Sequence, residues 1–403
     1  MRFVFAACLL LLALPAQAAD WWAAETDHFI VKSQDSEEET RQFAEDLERF
    51  DAAMRFLQDL PGAAEASPST KLIVYRFGTD ADIARLFGDS DSGVAGFFIS
   101  HAGNSVAYVP AKKRINTQIK TRTSKEERLD ELTVLRHEYT HYFMMQHFPA
   151  AYPRWYVEGY AELMATIRFN EDGSFFVGDP PLYRSFQLTE LPQTKLEEML
   201  DSKHKLSGLD AYQHYATGWL LTHYLNFEPT RYNQLREYLT ALGNGEDSLA
   251  AARRIFGDLD AIDKILRKYI RGPFPGLNVK PDNTEIAVST RRLGGGEVAL
   301  IREEMRMGRG VDDKQAKDLA ADARANIVGF EQDYDALKIL AQAETWAENY
   351  DEADRLGEKL TEMNPDRIEG WLIRSDAAIE RIEDDPAQAA LARTYAASAA
   401  ARD

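Results

Sequence analysis

His137-Glu138-Tyr139-Thr140-His141 lies within Glu126 to Phe148, a run that reads as one long helix. Two histidines four residues apart project from the same helix face. Their imidazoles can clamp one zinc ion, and a third, oxygen ligand would leave one position open for water. Glu138, between them, falls beside such a metal, where a carboxylate can take a proton from that water. Histidine is scarce here, with 8 in 403 residues, so chance places this pattern in about one such chain in a hundred. Leu129, Leu132, Val134 and Leu135 before the motif, and Tyr142-Phe143-Met144 after it, supply an apolar face that can bury the helix beside a cleft.

After sixteen intervening residues comes Glu158, in Trp155-Tyr156-Val157-Glu158-Gly159-Tyr160-Ala161-Glu162, on a helix that Pro153 is expected to open. Glu158 and Glu162 are one turn apart, so each is a candidate third ligand. Gly159 and Ala161 are small enough for close helix packing.

HEYTH followed by WYVEGYAEL resembles the gluzincin metallopeptidases, the thermolysin and aminopeptidase clan, over roughly Gly93 to Leu225. That family carries its third ligand in an Asn-Glu-x-x-Ala/Ser-Glu/Asp pattern, and Val157 stands at the usual Asn position. The resemblance implies His137, His141 and Glu158 as zinc ligands, Glu138 as general base, and Glu162 as an outer carboxylate accepting the free N–H of His137. Such a partner fixes the tautomer of a ligating imidazole. Tyr215-Ala216-Thr217-Gly218 resembles the Tyr-x-x-Gly of the aminopeptidase-like branch, which implies Tyr215 as the donor to the tetrahedral oxyanion. Tyr212 and His214 are alternatives.

The family places a substrate-binding edge strand ahead of the zinc helix, here Gly93 to Val109, where a peptide would bind by strand addition. Gly96, Phe97 and Phe98 are its candidate substrate contacts, with one of the two phenylalanines expected in the core. The exopeptidase branch has a Gly-x-Met-Glu-Asn element there, whose glutamate grips the substrate amine. Gly93-Val94-Ala95-Gly96-Phe97-Phe98 lacks it, which favours an endopeptidase over an aminopeptidase. His28, His101, His147, His204 and His223 have no sequence partner at metal spacing and read as packing or surface hydrogen bonding.

The first nineteen residues read as a secretory leader: Met1-Arg2, an apolar run from Phe3 to Leu14, then Ala16-Gln17-Ala18 as the cleavage pattern. Its removal takes away the only cysteine, Cys8, so no disulfide or thiolate ligand is expected in the mature chain. A soluble periplasmic or secreted protein is expected, with no membrane span. The formal charge of -19 becomes -20 without Arg2, an acidic balance that argues against a nucleic-acid partner.

Strands are predicted over His28–Ser33 and Lys71–Phe77, with a helix over Glu37–Leu60 whose acidic start suits the dipole. A short helix is expected over Thr79–Phe87, stopped by Gly88. Gly93–Pro110 reads as a hairpin turning at His101–Asn104, and Tyr183–Tyr269 as helical around an apolar Ala211–Asn226. The expected class is therefore α+β, with a gluzincin-like mixed sheet and helices followed by an all-α tail. Pro and Gly in Arg271–Asn283 mark a linker, placing boundaries at 1–19 for the leader, 20–270 for the catalytic domain, 271–296 for the linker and 297–403 for the tail.

In the tail, Asp333 to Arg367 resembles a tetratricopeptide repeat, with Leu340-Ala341, Asn349-Tyr350-Asp351-Glu352-Ala353, Pro365 and a following Trp371. Helical repeats present a concave face, so a protein partner there is expected. Two functions follow. One is a zinc peptidase acting on peptides or proteins. The other is an interaction protein working through the tail, with a structural or inactive zinc site.

Overall fold

A computed structural model describes residues 20–60, 70–88, 96–101, 104–111, 130–205, 208–281 and 285–402. The leader, Gly93 to Ala95, the centre of the 101–104 turn and the first residues of the 126–148 run lie outside them. The protein is α+β, with a mixed sheet followed by a helical C-terminal region.

The N-terminal half contributes β1 (Trp22–Glu25), β2 (Phe29–Ser33), α1 (Glu37–Leu57), β3 (Leu72–Arg76), α2 (Asp80–Phe87), β4 (Phe97–Ile99) and β5 (Val106–Val109). Next come α3 (Glu131–His147), α4 (Arg154–Ala165), β6 (Arg168–Phe169) and β7 (Phe175–Val177). Helices α5 (Ser185–Thr189), α6 (Leu196–Leu200), α7 (Leu209–Phe227), α8 (Tyr232–Gly243), α9 (Ser248–Phe256) and α10 (Leu259–Tyr269) follow. Strands β8 (Leu277–Val279) and β9 (Ser289–Arg292) then lead into α11 (Gly295–Arg309), α12 (Asp313–Asn326), α13 (Tyr334–Trp346), α14 (Tyr350–Met363), α15 (Glu369–Glu380) and α16 (Gln388–Ala400).

The main sheet runs β4-β5-β3-β2-β1-β9. β2, β3 and β5 are parallel, and the remaining pairs are antiparallel. Alternation sorts its residues onto two faces. Phe29, Val31, Leu72, Val74, Ala107 and Val109 join the large core with α1, α3, α4 and α7. Tyr75, Val106 and Tyr108 join a second core with Trp21, Ile83, Leu293, Ile301 and Met305. α1 starts on a capping box, in which Ser36 accepts from the Glu39 N–H and the Glu39 side chain returns to the Ser36 backbone. Gly88, at φ 100°, stops α2 in the left-handed conformation as predicted.

The predicted linker over 271–296 is not a passive connection. β9 pairs with β1, Trp22 opposite Arg292, and completes the main sheet, while β8 joins β6 and β7 in a small second sheet. The helical region is not detached either, because α11 covers the second face of the main sheet. Tyr108 donates its hydroxyl to the Met305 carbonyl at 2.8 Å. The Lys32 ammonium, buried in β2, lies 2.7 Å from Glu304 and 3.0 Å from Glu297. Proline and glycine marked a break in periodicity correctly, but a short edge strand held by backbone hydrogen bonds needs no hydrophobic alternation.

His28, read from sequence as a solitary histidine, ties β2 to α1. Its N–H donates to Glu48 at 3.1 Å, and Nδ1 lies 2.5 Å from the other Glu48 oxygen. Asp51 lies beside it, taken by Arg55 at 2.6 Å and by the Tyr139 hydroxyl at 2.7 Å. His28, Glu48 and Asp51 are close enough to hold a metal, but the Arg55 guanidinium already neutralises Asp51, and the cluster reads as an ion-pair network. Burial opposes a charge on His28, yet the Glu48 hydrogen bond and the Asp51 and Glu48 charges outweigh it and raise its pKa. Burial raises Glu48, but the hydrogen bond and charge of His28 bring it below the usual carboxylate value.

The stability carried by the raised histidine is complete below pH 6.5 and is lost as pH rises through its folded value. The Glu48 share is lost instead on acidification. Replacing His28 with Asn is therefore expected to lower the Tm more at pH 6 than at pH 9, by a gap on the order of 2 °C. Calorimetry at the two pH values checks it, and equal losses would remove the ionic account.

Candidate metal centre

α3 begins at Asp130, whose side chain accepts from the Thr133 N–H, and it buries Leu135, Tyr139, Phe143 and Met144 against the sheet and α1. That leaves the His137 and His141 face turned toward α4. The two Nε2 atoms are 3.2 Å apart, and Oε2 of Glu158 lies 3.3 Å from one and 3.4 Å from the other. Three donors thus form a nearly equilateral triangle. Tetrahedral zinc, bound at about 2.0–2.1 Å, separates its donors by about 3.3–3.4 Å. Two imidazole nitrogens and one carboxylate oxygen are also the ligand types zinc takes, so the residues fit it. The side chains are 13%, 24% and 15% exposed, buried enough to hold an ion and open enough to admit a ligand.

Burial disfavours a charged His137, but its hydrogen bond to Glu158 and the surrounding charges of Glu162, Glu138 and Glu158 raise its pKa. Burial likewise opposes the Glu158 charge, and the two imidazoles hold its carboxyl far below the usual range. Each group thus stabilises its charged partner. Glu138 is half-buried beside them.

Glu162 is almost wholly buried, and one oxygen stands 3.8 Å from Nδ1 of His137. That is ion-pair reach rather than a hydrogen bond. Its firm partners are ones the sequence reading missed. The Tyr183 hydroxyl donates at 2.5 Å, and Arg184 donates at 2.7 and 3.1 Å. A carboxylate buried this deeply requires such a cation, and that requirement is the signal that could have prompted the search. Nothing near Glu162 in sequence, however, points to residues some twenty positions downstream.

α7 brings Tyr215 to the site by packing directly on α4. A Cβ added at Gly159 would lie 2.3 Å from the Gly218 carbonyl oxygen, and one at Gly218 would lie 2.6 Å from that of Trp155. Only paired glycines allow this approach. Tyr215, three residues before Gly218, has its ring centroid 6.3 Å from that of His137, and the Arg184 guanidinium lies 4.9 Å over the ring. Burial and the Glu158 charge raise the Tyr215 pKa, keeping its hydroxyl a donor. The Tyr212 side chain lies outside the described residues. His214 is buried beside the start of α4.

β4 is an edge strand of the main sheet and packs beside α3. Among the described residues no strand pairs with its outer edge. Phe98 faces α3, with its ring centroid 5.6 Å from that of Tyr142. Phe97 points through the sheet to the opposite side, stacked on Tyr108 at 4.6 Å and edge-on to Phe87. It therefore belongs to the second core and cannot contact a substrate on the α3 side. Gly96 packs close to β5 and Val134, where a Cβ would be 3.1 Å from the Tyr108 carbonyl.

Of the other histidines, His223 is bonded to Tyr269 and to the Gly178 carbonyl, and burial pushes its pKa down to about 4. His101 contacts the Gly308 carbonyl, and His147 contacts Arg55. Among the described residues no helix is long and apolar enough to cross a membrane. No family model and no curated protein matches the chain.

Proposed function

We propose that this chain is an exported zinc metallopeptidase of gluzincin type that cleaves within peptides or proteins. The observation that carries the reading is the donor triangle of His137, His141 and Glu158 at zinc spacing, with the Glu138 carboxylate adjacent. Zinc held there supplies a Lewis acid that polarises the scissile carbonyl and makes water a nucleophile at neutral pH. Glu138 takes the proton of the attacking water and passes it to the leaving amine. The Tyr215 hydroxyl donates to the oxyanion as charge develops there. Glu162, held by Tyr183 and Arg184, sets the orientation of His137, and the open edge of β4 beside Phe98 aligns an extended substrate by strand addition.

The missing amine-gripping glutamate before Phe97 favours an endopeptidase. The helical region, read as tetratricopeptide-like over α13 and α14, would bind a protein partner on its concave face. Purified protein loaded with zinc is expected to hold one ion per chain and to cleave a random peptide library at internal bonds. Bound zinc with no cleavage of any peptide would sink the peptidase reading in favour of a structural site.

A further inference from the structure

Among the described residues β4, three residues long, pairs with β5 alone. So short an edge makes few backbone bonds, and its placement depends on what its side chains pack against. Phe97 and Ile99 pack on the second core, which α11 closes with Val298, Ile301 and Met305 and α2 with Ile83 and Leu86. Of the three side chains, Phe98 is the one turned toward α3. The edge beside the zinc-ligand helix is therefore held mostly from behind, by the helical region.

The C-terminal end of α11 also grips this hairpin directly. Besides the Tyr108 hydroxyl on the Met305 carbonyl, Nε2 of His101 lies 2.8 Å from the Gly308 carbonyl. A carbonyl only accepts, so that nitrogen carries the proton. The Gly308 carbonyl is among the last four of the helix, which have no partner inside it. Arg309 donates to the Leu86 carbonyl at 3.1 Å and ties the same end to α2. The approach is close enough to require glycine. A Cβ at Gly308 would stand 2.6 Å from the Tyr108 hydroxyl and 3.3 Å from Cγ1 of Val106. That hydroxyl has little room to swing aside, because the Tyr108 ring is stacked on Phe97 at 4.6 Å and on Tyr75 at 5.4 Å.

We propose that Tyr108 and His101 are positioning residues, through which the end of α11 sets the edge of β4 against α3. The helical region then takes part in peptide binding without touching the peptide, a role distinct from holding a protein partner. The inference rests on the strand-addition reading of β4. Loosening this grip weakens binding of a substrate long enough to lie along the edge. It leaves the chemistry at His137, His141 and Glu158 alone.

The test uses the full-length, zinc-loaded protein and two substrate pools. One is a randomised, internally quenched peptide of about eight residues, which covers the edge at about 3.4 Å per residue. The other is a blocked dipeptide amide, too short to pair along it. Tyr108→Phe combined with His101→Ala removes two hydrogen bonds and is expected to raise KM for the long pool about fivefold or more. Its kcat, its zinc content and its turnover of the dipeptide are expected to stay at wild-type values. Gly308→Ala, which forces α11 off Tyr108, is expected to act in the same way. His101→Gln keeps an N–H donor and is expected to stay close to wild type.

A readout independent of turnover is hydrogen exchange of the β4 amides in the same variants. It is expected to speed up about fivefold while the amides of α3 keep their wild-type rates. A KM that rises equally for both pools, or for neither, would overturn the proposal while leaving the peptidase intact. If wild type cleaves neither pool, the peptidase reading is lost, and the exchange rates decide whether α11 holds the edge. Unchanged exchange at β4 would overturn that as well.

Discussion

Zinc-loaded Glu138→Gln is expected to keep its metal and lose peptide cleavage by a factor of about 10² to 10⁴. The amide is nearly isosteric with the carboxylate, and Glu138 is not among the three converging donors, so removing its charge leaves the triangle of His137, His141 and Glu158 in place. What disappears is the base. Water would have to lose its proton to solvent, and the leaving amine would have no positioned acid. Metal analysis beside a peptide-library assay separates the two effects. Loss of zinc together with activity would mean that Glu138 supports the ligands, and retained cleavage would mean that another group is the base. Arg184 and Tyr183 are not substitutes, because both are engaged on Glu162.

Gly159→Val is expected to destabilise the protein by at least about 3 kcal/mol and to weaken zinc binding at the same time. Its Cβ would stand 2.3 Å from the Gly218 carbonyl oxygen and 2.5 Å from Oγ1 of Thr222. The closest of these atoms is backbone, so relief requires moving α4 away from α7 rather than turning a side chain. Overpacking in a filled core usually costs about 1–3 kcal/mol, and a clash of backbone against backbone belongs at or beyond the upper end. Glu158 precedes Gly159, and Tyr215 is one turn from Gly218, so separating the helices also pulls the third ligand and the tyrosine off the site. Gly243→Ala is the control. It lies at the end of α8 with nothing within 4 Å of its added Cβ, and it is expected to gain up to about 1 kcal/mol. Denaturant unfolding of both variants, with zinc affinity measured in parallel, checks the pair, and a Gly159→Val protein as stable as wild type would refute the packing account.

The sequence carried the local parts of this architecture well. The helices over α1, α3 and α4, the two central strands, the β4–β5 hairpin and the stop at Gly88 all follow from patterning, caps and turn residues. The convergence of His137, His141 and Glu158 was legible because two of them are fixed by helix period and the third sits on the next helix. What was not legible depends on the chain returning to itself from far away. β1 and β9 are short, polar or interrupted strands whose evidence is mainly the backbone hydrogen bonding between them. Tyr183 and Arg184 serve Glu162 only after a turn folds back. Period two places Phe97 and Phe98 on opposite faces, yet which face meets α3 is decided by the packing of the sheet.

The pairing of β1 with β9 also governs when this protein can become itself. Trp22 meets Arg292, and Tyr75 and Tyr108 are covered by Ile301 and Met305. A chain emerging from its N-terminus therefore has His137, His141 and Glu158 in hand long before the sheet that supports them can close. Contacts this distant in sequence are slow to form, and until they do one sheet face remains uncovered. Maturation is thereby deferred to the last third of the polypeptide, and a fragment ending near residue 270 would present an apolar surface.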